Sequence, residues 1–256
     1  MTDVRFELLG PVRVLHDAAE VPLGPPKQRA VLAVLLLQEG RTMSYGGLVE
    51  AVWGSTPPAQ VRNLVQKYVS GLRRALAGCP TVSLDWTGTA YRLTGAHPAD
   101  LRERRALMDA AMAARDAGDL ATASELAGRA EELWRGDFAE GLDAPYLAAE
   151  RLRWAEKRLS VLEARIAGEL ELGRSFEYVH ELIRLVARHP LRERPVELLM
   201  TALYRSGRSS DALLAYEDAR RRIADAVGAD PGPALRALHG RILRQDPELL
   251  TDTAAA

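Results

Sequence analysis

The sequence has little of what a disulfide-stabilised, membrane-spanning or metal-binding protein needs. Its single cysteine, Cys79, excludes an internal disulfide framework and a metal site built from cysteines alone. The longest unbroken apolar run, Ala30 to Leu37, is far short of the roughly 20 residues that a membrane helix requires. The alternating residues Val4 to Leu8 at the N-terminus are unlike a signal peptide. We therefore expect a cytoplasmic protein with no membrane segment.

The short motifs of common enzymes are absent as well. Neither a G-x-x-x-x-G-K phosphate loop nor a G-x-S-x-G nucleophile elbow occurs. The five histidines have no metal-ligand spacing and are interpreted as ordinary surface or capping residues: His16, His97, His180, His189 and His239. The sequence thus predicts no catalytic residue, no metal site and no cofactor. An enzyme of an unrecognised class would need two buried titratable groups that converge in a deep pocket.

What the sequence does contain is an uneven charge distribution. The net charge is −1 over 256 residues, yet residues 1–95 hold 10 Lys/Arg against 7 Asp/Glu. No acidic residue occurs between Glu50 and Asp85, although four basic residues do. Because a phosphate-binding surface excludes carboxylates as strongly as it recruits cations, this window indicates contact with nucleic acid.

Residues 1–95 change from a strand-like to a helix-like pattern and back. Three short extended runs come first: Val4–Leu8, Val12–Leu15 and Val21–Leu23. One helix is predicted from Lys27 to Leu37, and a second follows the candidate cap Ser44 as far as Trp53. The segment closes with a predicted β-hairpin, Thr81–Trp86 and Tyr91–Thr94.

Between them lies a third, strongly amphipathic helix, from Val61 to Leu76. The face opposite its apolar stripe has no carboxylate and holds Arg62, Asn63, Gln66, Lys67, Ser70, Arg73 and Arg74. Any surface helix has a solvated polar face, and that explanation alone would require no ligand. The missing acids, the side-chain types that can bond to base edges, and the hairpin that follows favour DNA binding instead.

This order of elements predicts an OmpR-type winged helix-turn-helix over residues 1–95, in which one helix enters the major groove. Base contacts are predicted for Arg62, Asn63, Gln66, Lys67 and Ser70. Phosphate contacts are predicted for Arg73, Arg74, Thr87, Thr89, Tyr91 and Arg92.

Residues 99–246 are predicted to form an all-α domain, which makes the whole chain mainly α with a small β component. Asp100 is the candidate opening cap. Gly118, Gly173 and Gly207 align as the bends of helix pairs, and the step of 34 residues between the last two is the tetratricopeptide period. Generic helical packing with coincidental glycines is the alternative. Helical-repeat domains present surfaces to protein partners, and residues 247–256 are predicted to be a disordered tail.

Over residues 4–245 the chain resembles the Streptomyces antibiotic regulatory protein family in its short two-domain form. The most specific stretches are Gly24–Leu37, Leu48–Gly54, Gln66–Leu76, Tyr91–Leu93, His189–Arg194, Leu203–Ala212 and Val227–Ile242. The resemblance implies a pathway-specific activator of an antibiotic biosynthetic gene cluster. It would bind direct repeats near the promoter −35 element, as a homodimer or as two protomers, and recruit RNA polymerase holoenzyme through a bacterial transcriptional activation domain. The implied contacts to sigma factor region 4 are Ser55, Thr56, Pro57 and Pro58.

Two positions depart from the family pattern. Gly71 stands where relatives usually have arginine, which implies one phosphate contact fewer, and Ala90 stands where the wing usually has glycine. A different function also remains open. The chain would then be a helical-repeat scaffold whose N-terminal domain docks protein, and the outer face of residues 61–76 would be expected to be apolar.

Overall fold

The computed structural model describes residues 4–250 and confirms a mainly helical chain with a small β component. The chain forms two compact units. Unit 1 combines the residues up to Asp109 with Arg129–Arg158, and unit 2 combines Ala110–Gly128 with the residues from Leu159 onward. Each unit is therefore assembled from two separate stretches of sequence.

Unit 1 opens with a small antiparallel sheet. Its strands are β1 (Val4–Glu7), β2 (Arg13–His16) and β3 (Ala19–Glu20), which pair in that order. The predicted third run at 21–23 was wrong, because the strand lies before it and Pro22 has no backbone N–H for a ladder.

Three helices follow the first sheet: α1 (Pro26–Leu36), α2 (Tyr45–Trp53) and α3 (Val61–Ala75). The predicted cap of α2 is confirmed, since Ser44 Oγ accepts a hydrogen bond from the Gly47 N–H at 3.0 Å. The rings of Trp53 and Tyr68 stack at a centroid distance of 6.3 Å and join α2 to α3.

The second sheet forms the predicted wing. It consists of β4 (Met43–Ser44), β5 (Ser83–Trp86) and β6 (Ala90–Thr94) in the order β4-β6-β5. The hairpin is confirmed within two residues at each end. The two-residue strand β4 was not predicted, because a run that short has no periodicity.

Gly71 in α3 marks a close approach to α1. A Cβ built at this position would lie 2.3 Å from Gln28 Oε1, and the buried Gln28 amide donates to Leu23 O at 2.8 Å. The implied role of this position in phosphate contact is wrong, because Gly71 faces α1 and a larger side chain would displace Gln28.

Replacement of Gly71 by alanine is therefore expected to lower the free energy of unfolding by about 1–3 kcal/mol, despite the helix propensity of alanine. Adding Gln28→Ala should make the two changes non-additive, because the clash is then removed. Gly128→Ala is the control, since an added Cβ there meets no atom within 4 Å. Urea unfolding of five proteins tests this: the wild type, Gly71→Ala, Gln28→Ala, the double variant and Gly128→Ala. A stabilising Gly71→Ala would contradict the packing argument.

Residues 129–158 complete the core of unit 1. Fully or nearly fully buried side chains from this stretch pack into the same hydrophobic cluster as α1, α2 and α3: Phe138, Ala139, Leu142, Ala144 and Leu147. The main chain contributes too, because the Ala139 N–H donates to Leu8 O at 2.9 Å. Arg151 fixes the loop from inside by donating to Phe138 O, Ala139 O and Leu142 O.

Asp100 also connects distant parts of unit 1, because it joins α4 to the residues that follow β1. One carboxylate oxygen accepts from the backbone N–H groups of Leu8 and Leu9, both at 2.7 Å, and Arg135 Nη2 lies 3.4 Å from the same oxygen. The side chain is 2% exposed. The prediction of a helix cap was wrong, because α4 begins before it, at Ala99. One carboxylate oxygen of Asp100 bonds to Leu8 and Leu9, just beyond β1, and the other accepts from the Leu101 N–H at 2.9 Å.

The remaining helices were largely predicted. They are α4 (Ala99–Asp116), α5 (Leu120–Glu132), α6 (Pro145–Glu171), α7 (Ser175–Arg188), α8 (Glu193–Arg205), α9 (Ser209–Val227) and α10 (Pro233–Leu243). The division between the two units falls within α4, α5 and α6.

Gly118, Gly173 and Gly207 each end the first helix of a pair in the same way. Their φ angles are +80°, +81° and +74°. At each, the glycine N–H bonds to the carbonyl three residues back, and the next N–H bonds to the carbonyl five residues before it. This is the Schellman cap, which suits glycine because it needs a left-handed residue. The predicted helix-pair bends are confirmed.

The predicted disorder of 247–256 was wrong for its first part. Residues Pro247–Leu249 form a 3₁₀ turn, Leu249 is 7% exposed, and Arg205 Nε donates to Leu249 O at 2.9 Å. Asp246 caps the turn by accepting from the Glu248 N–H. Residues 251–256 lie outside the described residues.

Candidate nucleic-acid interface

The polar face of α3 is open to solvent. All seven of its polar side chains are exposed: Arg62, Asn63, Gln66, Lys67, Ser70, Arg73 and Arg74. The opposite face buries Val65, Val69 and Leu72 in the core of unit 1. The predicted division of the helix into a packed side and an outward side is confirmed, and the outward side is polar instead of apolar.

No ion pair among the described residues involves Arg62, Lys67, Arg73 or Arg74. Their charges are not balanced by neighbouring carboxylates, so the face has an uncompensated positive field. Such a field attracts a polyanion and favours contact with phosphates.

Arg73 links α3 to the wing. Its Nε donates to Leu84 O on β5 at 2.7 Å, so one of its donors is used within the protein. A purely phosphate-directed side chain was predicted here. The structure instead gives Arg73 a part in holding the hairpin against the helix.

Tyr91, a residue of the wing strand β6, is buried, whereas the sequence predicted a surface contact to phosphate. The residue is 7% exposed, and its ring is tilted against Trp86 at a centroid distance of 4.7 Å. Burial raises the pKa of the Tyr91 hydroxyl, against the opposing effect of the nearby Arg73 and Arg62 charges. Its hydroxyl is therefore a neutral donor near neutral pH, close to two cations.

The other predicted wing residues are exposed, but on different sides. Thr87 and Thr89 lie at the tip of the hairpin, and the Thr87 hydroxyl donates to Ala90 O at 3.2 Å. Arg92 stands directly across the strands from Asp85 in the ladder register. Because side chains alternate along a strand, Arg92 and Asp85 share the face turned away from Tyr91.

The loop between α2 and α3 is also exposed. Ser55, Thr56, Pro57 and Pro58 are all accessible to solvent. The loop begins at Gly54, which has a φ of +68° and is packed so that an added Cβ would lie 3.2 Å from Pro145 Cγ. The backbone at the base of this loop is therefore fixed, while its tip is accessible.

Two residues beside α3 were not predicted from the sequence as part of the site. Tyr45 and Trp86 join Arg62, Gln66 and Tyr91 in lining a cavity of about 540 Å³ between α3 and the wing. Trp86 is 45% exposed. The signal available in the sequence was an aromatic residue at the end of the first hairpin strand, on the same side as the buried Leu84.

Other classes of site find little support in the described part of the chain. Within residues 4–250 no group of three or more His, Cys, Asp or Glu side chains is placed to hold a metal ion. Among the described helices, none has the length and apolar character that a membrane crossing requires.

Known protein families match both parts of the chain. Residues 99–243 match the bacterial transcriptional activator domain, and residues 19–92 match the C-terminal domain of transcriptional regulatory proteins. The regulatory protein DnrI of Streptomyces peucetius is 34% identical over 258 residues, which covers 95% of this chain and 93% of DnrI. The chain belongs to the Streptomyces antibiotic regulatory protein family.

Other family relatives are longer than this chain. The regulatory protein AfsR of Streptomyces coelicolor is 46% identical over 252 residues, which is 98% of this chain but 25% of AfsR. The chain also spans about a quarter of AfsR from Streptomyces griseus. A solved structure of Mycobacterium tuberculosis EmbR, in complex with a low-affinity phosphopeptide, covers the whole chain with a TM-score of 0.87 and 35% identity, over 70% of the EmbR chain. These relatives are all named as regulatory proteins.

Proposed function

We propose that this member of the family is a sequence-specific DNA-binding transcriptional activator. The observation that supports this most directly is the exposed face of α3, with seven polar side chains, no carboxylate and a wing beside it. An α-helix of this kind fits the major groove, where Arg, Asn and Gln side chains can bond to two atoms of one base.

In this proposal, residues 1–95 bind double-stranded promoter DNA and residues 99–246 act as the activation domain. Membership of the Streptomyces antibiotic regulatory protein family favours control of an antibiotic biosynthetic gene cluster. The proposed binding mode is two protomers on direct repeats near the −35 element. The exposed residues Ser55 to Pro58 are the proposed contact to sigma factor region 4 of RNA polymerase holoenzyme. Footprinting on a candidate promoter, with and without holoenzyme, tests both parts. Protection that does not extend when polymerase is added would contradict recruitment.

The α3 side chains have different expected roles. Replacing Arg62 or Gln66 by alanine should change which promoter sequences are bound, because both lie on the exposed face of α3 and their side chains can bond to base edges. Replacing Arg74 should weaken all sequences alike and reduce the slope of log K against log salt by about one, because one phosphate contact is lost. Gel-shift titrations with operator and unrelated duplexes at several salt concentrations measure both effects.

The matched control for this series is Arg220→Ala. Arg220 is an exposed arginine of α9 that bonds to Glu217 in unit 2, so its loss removes a positive charge without touching α3. It should leave the salt slope unchanged. If Arg74→Ala and Arg220→Ala behave alike, or if Gln66→Ala leaves sequence preference intact, the assigned roles are wrong.

A further inference from the structure

The cavity between α3 and the wing has a fixed frame. Arg73 Nε bonds to Leu84 O on one side, and the Tyr45 N–H donates to Thr89 O at 3.3 Å on the other. Tyr91 and Trp86 face each other across β5 and β6, with the ladder pairing the two residues. The walls therefore come from α2, α3 and the wing, and hydrogen bonds join the wing to each of the two helices. The cavity is thus a defined part of the structure of unit 1.

The charges around the cavity all have the same sign. Arg62 and Arg73 are among its lining residues, whereas no carboxylate is. The nearest acid in sequence, Asp85, alternates to the other face of β5 and accepts from Ser83 Oγ at 2.7 Å. A bound group should therefore be an anion, and the terminal Nη donors of Arg73, whose Nε bonds to Leu84 O, suit a phosphate.

Trp86 adds an apolar surface to this cationic site. Its indole is 45% exposed although it stands on the same side of β5 as the buried Leu84. A phosphate alone would leave the ring in water. A sugar–phosphate segment would cover it, because the deoxyribose presents C–H groups next to each phosphate. Base stacking on the ring would need an unpaired strand, since the bases of a duplex are already stacked.

We propose that this cavity holds one sugar–phosphate segment of duplex DNA, with Trp86 packed against a deoxyribose and the Tyr45 hydroxyl bonded to a phosphate oxygen. The inference rests on the proposed DNA-binding function and extends it to two residues outside the outward face of α3. Trp86 is then a positioning residue: it sets how α3 lies in the groove but reads no base, because it contacts the backbone alone.

The test compares Trp86→Ala, Trp86→Phe, Tyr45→Phe and Arg74→Ala in the full chain, on the promoter duplex and an unrelated duplex. Trp86→Ala should weaken binding to both duplexes about tenfold, which is about 1.4 kcal/mol. It should leave the salt slope unchanged because no cation is lost, whereas Arg74→Ala, which removes a proposed phosphate contact, lowers the slope by about one. Trp86→Phe should recover most of the loss. Tyr45→Phe should weaken binding to both duplexes about tenfold, because one hydrogen bond to a charged phosphate oxygen is removed.

A second measurement uses the native side chain, so it does not depend on how well Trp86→Ala folds. Tryptophan emission of the wild type should change when the promoter duplex is added, and the change should be absent in Trp86→Phe, which keeps the other three tryptophans. Equal affinity of Trp86→Ala and wild type, an unchanged emission, or tighter binding of a single strand than of the duplex would each overturn the inference. If one of these results is found but the wild type still protects the promoter, only the inference about the cavity fails. A wild type that binds no duplex would contradict both this inference and the proposed DNA-binding function.

Discussion

Replacement of Phe138 by alanine is expected to lower the free energy of unfolding of unit 1 by about 3–5 kcal/mol. Phe138 is 1% exposed, stacks on Trp154 at a centroid distance of 5.6 Å, and packs into the cluster that α1, α2 and α3 also fill. Alanine would leave a cavity where the ring was, and a close-packed interior collapses only partly around such a gap. Urea unfolding followed by circular dichroism measures the loss.

The same change should weaken DNA binding, although residue 138 lies more than 40 positions beyond the wing in sequence. The destabilised unit would be partly unfolded near the growth temperature, and only the folded form holds α3 in place. Phe176→Ala is the matched control, because Phe176 is 73% exposed and lies in unit 2. It should change stability by less than about 0.5 kcal/mol. A Phe138→Ala protein as stable as this control would show that residues 129–158 do not complete the core.

Replacement of Asp100 by alanine should have an effect of similar size, about 3–5 kcal/mol. The change leaves the Leu8 and Leu9 N–H groups buried without their acceptor and removes the carboxylate beside Arg135. Burial raises the pKa of Asp100, against the opposing effect of those two N–H groups, so a neutral side chain is tolerated there better than at an ordinary ion pair. Asp100→Asn should therefore cost only about 1–2 kcal/mol.

The ranking of these two variants is the decisive observation. Thermal or urea unfolding should place Asp100→Asn between the wild type and Asp100→Ala. Asp109→Ala is the control, since Asp109 is an exposed residue of the same helix. If both Asp100 variants have the same free energy of unfolding as the control, the Asp100 carboxylate does not stabilise the contact between α4 and the end of β1.

Periodic patterns made much of the fold predictable. The stripe from Val61 to Leu76 placed α3 to within a residue, and the glycines at 118, 173 and 207 marked three helix bends. Both depend on local geometry, which repeats in the sequence. The contribution of residues 136–144 was not predictable, because a buried loop has no period and the Leu8 and Gly10 carbonyls that accept its backbone hydrogen bonds lie more than 100 residues away.

The candidate site was predictable in outline only. The exposed face of α3 follows from its amphipathic pattern, but the burial of Tyr91 depends on how the hairpin lies against the helix. The same is true of Arg73, whose bond to Leu84 O needs the wing in place. Gly71 shows this limit most clearly. The sequence suggested that its missing side chain removes a phosphate contact, whereas in the structure Gln28 occupies the space next to Gly71.

Unit 1 is built from two separate stretches of the chain, and this limits where domains can be exchanged between family members. The hydrophobic interior beneath α3 closes only with Arg129–Arg158, so a nascent chain must leave the ribosome as far as α6 before that interior can form. A chimera that borrows operator specificity from a relative should therefore be joined within α6, beyond Arg158, and not at the apparent linker near residue 97. A fusion made at the linker would combine α1, α2 and α3 of one relative with the buried side chains of residues 129–158 of another.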